Sequence, residues 1–154
     1  MTMGALKLLF CTNPRNPLSW AIRACTWSNW SHVAIIDGED VIEAVALRGV
    51  VCSKLSDRQR KDPHWRIVEL TCANPIEVIE AARSQLGKPY DYTAVIGLGL
   101  HRVWKDADSW FCSELVAWSF DKVGAPLFRA ETLHRVTPQH LWMLNPCNVA
   151  EVTA

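Results

Sequence analysis

A cysteine that could act as a nucleophile stands in the segment SWFCSELVAWSF, residues 109–120. The apolar residues after Cys112 recur with helical spacing, which places this cysteine at the start of a helix predicted over 112–123. The free N–H groups and the dipole at a helix start favour a thiolate, and the cysteine's own N–H could bind an oxyanion. We therefore expect Cys112 to react with thiol reagents before the other five cysteines of the chain.

A base for this cysteine occurs in SHVAIIDGEDVIEAV, residues 31–45, where two β-rich runs flank Asp37 and Gly38. Asp-Gly is typical of a two-residue type I′ hairpin loop, and with that loop His32 lies directly opposite Glu43. The carboxylate would fix the tautomer of the imidazole and stabilise the imidazolium. A structural ion pair at a strand end would have the same pattern, so the hairpin alone leaves both interpretations open.

A thiolate, a base and a carboxylate that orients the base are the groups that covalent acyl transfer requires. His32 and Cys112 are about 80 residues apart, and the sequence does not establish that they meet. Their contact depends on the elements between them.

Those elements predict an α+β fold in one domain over residues 1–154, because strands and helices are segregated along the chain rather than alternating. Strands are predicted at 5–10 and 64–70 and a terminal strand at 147–153, with helices opening at Pro17, Pro75 and 137–142. Asn16 and Asn74 precede the first two helices as N-caps, and Glu77 stands at the capping-box position of the second. The apolar stripe of that helix is predicted as Ile76, Ile79, Ala82 and Leu86.

Composition excludes several functional classes. Hydrophobic residues make up 49% and charged residues 21% of the chain, and 16 basic residues balance 16 acidic ones. A net charge of zero provides no general attraction to nucleic acid or to an anionic membrane. The mixed-charge run DRQRKD at 57–62 is typical of a solvated loop, and the apolar runs are too short to span a membrane.

The cysteines are spaced widely and irregularly, and no secretory signal is evident in the sequence, so we expect free thiols in a cytoplasmic protein. No CxxC or HxxxH spacing occurs, so no metal site and no cofactor are predicted. Burial as inert packing is expected for four of them: Cys25, Cys52, Cys72 and Cys147.

The motifs SHVAIIDGEDVIEA, GKPYDY and WFCSELVAWSF together resemble those of the NlpC-type papain-like cysteine hydrolases. The histidine precedes the cysteine here, an order that resembles the circularly permuted branch, with its YiiX-like proteins and, more distantly, lecithin:retinol acyltransferase. The resemblance covers roughly residues 5–144. It implies a small antiparallel sheet packed against the helix that carries the cysteine.

The same resemblance implies that Cys112 is the nucleophile, His32 the general base and Glu43 the third polar residue of the site. Tyr90, in the G-x-P-Y element, would shape the oxyanion or substrate site, although packing as a turn residue over the core is an equal alternative.

The function that this resemblance implies is hydrolysis of an amide or peptide bond through a thioester, with bacterial cell-wall peptide as the favoured substrate. A protein without a signal peptide could reach the wall after release or on a phage particle. Two alternatives remain. One is a lipid acyl hydrolase or acyltransferase whose acyl groove is formed by residues 94–100 and the tryptophans near His32; the other is a catalytically silent structural or phage component.

Overall fold

The computed structural model describes residues 4–92 and 109–144. Five strands form one antiparallel sheet in the order β4-β3-β2-β1-β5. The strands are β1 (Gly4–Thr12), β2 (His32–Asp37), β3 (Asp40–Val45), β4 (Gly49–Lys54) and β5 (His64–Cys72). The predicted α+β class and the small antiparallel sheet are confirmed. The segment at 94–100 and the terminal strand at 147–153 lie outside the described residues.

Helices connect and cover this sheet. They are α1 (Pro17–Thr26), α2 (Leu55–Lys61), α3 (Pro75–Arg83), α4 (Cys112–Lys122) and α5 (Pro138–Met143), with a 3₁₀ helix over Ala130–Arg135. Asn16 caps α1 as predicted, since its side chain accepts a hydrogen bond from the Leu18 N–H. Asn74 precedes α3 but makes no such bond, and its amide contacts Glu77 instead.

The hairpin register differs from the prediction. Asp37 pairs with Asp40 and Ile35 with Ile42, so the loop is Gly38 and Glu39 rather than Asp37 and Gly38. Gly38 has a φ of 62° at the first central position, where a type II′ turn favours glycine. Continuing this register aligns Glu43 with Ala34 and not with His32. The shift is two positions, so both side chains stay on the same face, as diagonal neighbours.

The two faces of the sheet bury different cores. The larger core lies between the sheet and the helices, and its central strand positions include Phe10, Val33 and Ile35. The opposite face carries a small cluster around Leu9, Cys11 and Ala34. Cys11 pairs with His32 across β1 and β2, so the histidine belongs to the smaller face, at the point where β2 begins.

Helix α4 packs on the larger face against β2, as the resemblance implied. Its exposed fractions are close to zero at Cys112, Leu115 and Phe120. Burial of such side chains stabilises the fold by roughly 1.5–3 kcal/mol each. The cysteine is therefore held by a helix that cannot shift without disturbing the core.

One prediction about packing is correct only in part and another is wrong. In α3 Ala82 is buried and Ile79 packs against the core as predicted, but Ile76 is 71% exposed and Leu86 40% exposed, and Val78 is buried in their place. The run at 57–62 is not a solvated loop, because most of it forms α2 and its Arg58 and Asp62 are largely buried.

Candidate active site

A short hydrogen bond joins the histidine to the acid on the neighbouring strand. His32 Nε2 lies 2.6 Å from Glu43 Oε2, and both side chains are almost fully buried. The diagonal position on adjacent strands suffices, because glutamate is long enough to span the offset. The structure thus brings together the pair that the sequence predicted, although the register that led to the prediction was wrong.

Two further groups hold the Glu43 carboxylate. Ser53 Oγ on β4 donates a hydrogen bond to Oε1 at 3.0 Å, and Arg58 Nε on α2 lies 3.2 Å from Oε2. Burial raises the pKa of Glu43, but the hydrogen bond and charge of His32, with Arg58 and Ser53, outweigh it and lower the pKa to about 2. Glu43 is therefore an anion at neutral pH.

His32 is neutral at neutral pH. Burial lowers its pKa first and the nearby Arg58 charge second, and both together outweigh Glu43, which raises it. A neutral ring next to a carboxylate must donate from Nε2, so Nδ1 carries the lone pair. This tautomer leaves Nδ1 as the basic atom of the ring.

Cys112 is the first residue of α4, as predicted. Its sulfur accepts hydrogen bonds from the backbone N–H groups of Ser113, in the same turn, and Val33, the residue next to His32. The chain therefore brings the thiol to the start of β2 despite the long separation in sequence. Phe111 at the N-cap makes no side-chain hydrogen bond to the helix.

The thiolate predicted for Cys112 is not the resting form. Burial raises its pKa to about 11, although the two N–H groups and Arg58 lower it. The thiol is 1% exposed, whereas Cys25 and Cys52, predicted to be buried, are exposed. Cys72 is buried as expected, and Cys147 lies outside the described residues. Burial therefore replaces the early labelling expected from the helix start with an expectation of late labelling.

Tyr90 lies close to this cysteine. Its ring makes an edge contact with Phe111, the residue before Cys112, at a centroid distance of 6.1 Å. Burial and the Cys112 charge raise the pKa of Tyr90, so its hydroxyl stays protonated and can donate. The ring is buried and its backbone bridges Trp110, so packing and site roles coexist in one residue.

A glycine in β4 permits the approach of the segment that carries Tyr90. Gly49 has a φ of 75°, and a Cβ there would stand 2.2 Å from the Lys88 carbonyl oxygen. That oxygen accepts a hydrogen bond from Val50 N–H at 2.8 Å, and Gly87 N–H donates back to the Val50 carbonyl at 2.9 Å. Only glycine combines this backbone with this contact.

A cavity of about 330 Å³ opens beside His32. Its wall is polar toward α2 and the start of α1, and apolar along the end of β3 and the inner side of α1. The lining residues are Asn16, Leu18, Ser19, Ile22, Ser31, His32, Ala44, Val45, Ala46, Leu47, Arg58, Lys61, Asp62 and Tyr90. Cys112 is not among them, in keeping with its buried thiol.

The tryptophans proposed as an acyl groove do not line this cavity. Trp20 and Trp27 are 67% and 92% exposed, on the outer side of α1. Trp30 is buried and packs against Phe10 and Trp142. They therefore give no support to an acyl groove at His32.

Sequence reasoning missed Arg58 and Asp62. Arg58 Nη2 lies 2.9 Å from Asp62 Oδ2, and the pair stands next to Glu43. The signal was present, because an arginine and an aspartate four residues apart face the same side of a helix. Only burial distinguishes this pair from a solvated one.

No helix among residues 4–92 and 109–144 is long and apolar enough to cross a membrane. No curated protein matches the chain. Among solved structures, the chain resembles the one described as the crystal structure of metalloprotein yiiX from Escherichia coli O157:H7, with a TM-score of 0.69. The two are 20% identical, and the match covers 97% of this chain and 96% of that one. At this identity the likeness shows a shared fold.

The description as a metalloprotein applies to the E. coli protein. In the part of this chain that the structure describes, no three His, Cys, Asp or Glu side chains lie together in a way that could hold a metal ion. Glu43 is already occupied by His32, Ser53 and Arg58. The described residues do not fit a metal site.

Residues 4–152 match a protein family described as a permuted papain-like amidase enzyme, YaeF/YiiX, C92 family. The permuted order, the sheet and the cysteine helix all agree with that description. The match extends over nearly the whole chain. The protein therefore belongs to this family of papain-like cysteine peptidases and amidases.

Proposed function

We propose that the protein hydrolyses an amide or peptide bond with Cys112 as nucleophile, His32 as general base and Glu43 as the residue that orients the base. The observation that carries this proposal is the 2.6 Å contact between His32 Nε2 and Glu43 Oε2. It leaves Nδ1 unprotonated on the residue that precedes Val33, whose backbone N–H bonds the Cys112 sulfur.

The reaction starts from a neutral thiol and a neutral imidazole. The Cys112 proton moves to His32 Nδ1 as the sulfur attacks the acyl carbon, so thiolate forms only at the moment of attack. The carbonyl oxygen becomes an oxyanion. We assign its stabilisation to the backbone N–H of Cys112, which has no side-chain cap, and to the protonated hydroxyl of Tyr90.

Collapse of this intermediate breaks the C–N bond, and the imidazolium of His32 donates its proton to the leaving amine. A thioester on Cys112 remains. Water then loses a proton to Nδ1 and attacks the thioester, and the proton returns to the sulfur as the acid leaves. Glu43 stabilises the imidazolium in both halves of the reaction.

The favoured substrate is a peptide from the bacterial cell wall. The polar half of the cavity wall, with the exposed side chains of Asn16 and Lys61, offers hydrogen bonds to amide and carboxylate groups. A fatty acyl chain would displace water from these side chains without replacing its hydrogen bonds. The amide substrate is therefore preferred over a lipid ester.

The test combines turnover with trapping. Wall-derived peptide fragments and a short-chain acyl thioester would each be incubated with the protein, and adducts located by mass spectrometry after an acid quench. We expect peptide cleavage and an acyl adduct on Cys112. Cys112→Ala should abolish both, whereas Cys52→Ala, which removes an exposed thiol, should retain them.

Three results would contradict this proposal. Turnover that survives in Cys112→Ala excludes the nucleophile. Turnover of the thioester alone points to lipid acyl chemistry. Absence of any adduct, with folded protein and reactive substrates, identifies a silent structural component.

A further inference from the structure

Helix α2 adds a buried cation to the site. Arg58 and Asp62 lie one turn apart, and the side chain of Arg58 is 10% exposed between two carboxylates. Its Nε lies 3.2 Å from Glu43 Oε2, and its Nη2 lies 2.9 Å from Asp62 Oδ2. Other arginines of this part of the chain are solvated, such as Arg60, which is 78% exposed in its pair with Asp57.

Burying a guanidinium is costly, and a salt bridge used only for stability is commonly no better than apolar packing. The placement of Arg58 makes a different contribution. It contacts the same oxygen, Oε2 of Glu43, that binds His32 Nε2. The charge of Arg58 therefore holds this carboxylate oxygen from one side, while the same oxygen binds the imidazole on the other.

The charges around His32 support the same conclusion. The cluster of neutral His32, Glu43, Arg58 and Asp62 has a net charge of −1, and it becomes neutral when the ring takes a proton. Without Arg58 the same ring would face two uncompensated carboxylates. A base in that field has a higher pKa, so a larger fraction of it holds a proton at rest and cannot accept one from a thiol.

We propose that Arg58 is a positioning residue that acts through Glu43 to keep His32 an unprotonated, correctly directed base in the resting enzyme. This inference rests on the proposed function of His32 as a base. Asp62, the C-cap of α2, in turn holds the far end of the guanidinium, so Glu43 on β3, Arg58 on α2 and Asp62 form a chain of ion pairs behind the histidine.

The pKa of His32 is the quantity that these groups control. Arg58 lowers it, while Glu43 and Asp62 raise it. Loss of Arg58 should therefore raise the His32 pKa above its wild-type value. Loss of the Asp62 charge should lower it below that value. Other titratable groups on the surrounding elements are Cys11 on β1, Cys112 on α4, Lys61 on α2 and Tyr90 after α3.

The experiment is an NMR titration of the His32 ring, assigned by its loss in His32→Gln, in the wild type, Arg58→Met, Arg58→Lys and Asp62→Asn. In Arg58→Met we expect the midpoint to rise by about 1 pH unit or more. The acidic limb of the kcat/KM profile should move to higher pH by the same amount. At a pH below this limb, activity should then fall about tenfold for each pH unit of the shift. Arg58→Lys should restore much of the midpoint.

Arg60→Met on the exposed side of the same helix is the matched control and should leave the midpoint and the activity unchanged. If Arg58→Met does not fold, Asp62→Asn tests the opposite direction, with an expected fall of the midpoint. An unchanged His32 midpoint in folded Arg58→Met, or in Asp62→Asn, overturns the proposal and leaves Arg58 a structural residue. The titration needs no substrate, so a protein without turnover would refute the proposed function separately.

Discussion

The hairpin of β2 and β3 carries acidic residues at both ends, and the two ends differ in how far their ion pairs are exposed to solvent. At the turn, Lys54 Nζ lies 2.8 Å from Asp40 Oδ1, and Arg83 Nε bonds Asp37 Oδ2 at 2.9 Å, with all four side chains about one third exposed or more. At the open end, Glu43 and His32 are buried with Arg58.

The contacts have similar lengths, so distance does not separate a surface pair from a site. Water screens the pairs at the turn, which contribute about 0–1 kcal/mol each. The buried end has no such screening, and small changes of charge there alter which groups are protonated. Burial converts an ordinary ion pair into a tuned acid–base pair.

The largest expected effect comes from removing the base at the buried end. His32→Ala should lower kcat/KM by about 10³-fold or more, because the proposed base that takes the Cys112 proton is then missing. Steady-state kinetics on a cleaved peptide would measure it. Asp37→Asn at the turn is the control, and an equal loss there would refute the contrast between the two ends.

A smaller loss is expected when the carboxylate alone is neutralised. Glu43→Gln keeps the shape of the side chain and should lower turnover on the order of 10-fold to 100-fold, less than His32→Ala. Glu43→Ala should cost more, since the orientation of the ring is also lost.

The pH profile gives Glu43→Gln a second readout. The acidic limb of kcat/KM should lie below the ordinary histidine pKa of 6.5 in the wild type, because the His32 pKa is lowered. Loss of the nearby anion should move it lower still. An acidic limb that moves to higher pH would mean that Glu43 does not act on His32 through its charge.

Acid should destabilise the buried end in two steps. His32 and Glu43 both have folded-state pKa values below their unfolded values, so their stabilising contributions are complete above those values and are lost as the pH falls. The first loss begins near the histidine value of 6.5, and the second runs from 4.5 to about 2 for Glu43 and amounts to about 3 kcal/mol.

Urea unfolding at several pH values would measure both steps. Glu43→Gln should remove the lower step. Asp40→Asn should leave it in place, and a lower step that persists in Glu43→Gln would assign it to other carboxylates.

The contrast between buried and exposed groups extends to the thiols. Cys25 and Cys52 should react first with limiting iodoacetamide, and Cys112 should react late, because its thiol is buried and its pKa is raised to about 11. Peptide mapping over time would give the order. Early labelling of Cys112 would mean that the site opens readily without substrate.

The smallest effect is expected at the turn. Asp40→Asn removes the exposed pair with Lys54 and should change the free energy of unfolding by less than about 1 kcal/mol, with further attenuation by salt. Chemical denaturation at low and high salt would measure this change. A loss as large as that of Glu43→Ala would show that the two ends are equivalent.

Much of this site could be predicted from local sequence. Two β-rich runs on either side of a turn signal identified β2 and β3, and helical spacing placed Cys112 at the start of α4. The face shared by His32 and Glu43 was also predicted, because a register error of two positions preserves faces. The loop itself was wrong, since Asp-Gly and Gly-Glu both satisfy hairpin geometry and pairing along the strands decides between them.

Arg58 could not be assigned in this way. A run of mixed charges has the same sequence pattern whether it is solvated or packed against a sheet. Only the path of the chain from β4 into α2 brings Arg58 next to Glu43. The protonation of Cys112 was missed for a related reason. The helix start favours a thiolate, but burial by distant elements raises the pKa more strongly.

The sequence by itself determined most of the elements, though not β4 and α2, together with the residue types of the site and the order of histidine before cysteine, because these follow from periodicity and short motifs. The tertiary structure decided which charged groups are desolvated and which side chains interact electrostatically. It also decided whether the nucleophile is a thiol or a thiolate in the resting enzyme. Desolvation is a property of everything packed around a group, and residues far apart in the chain supply it.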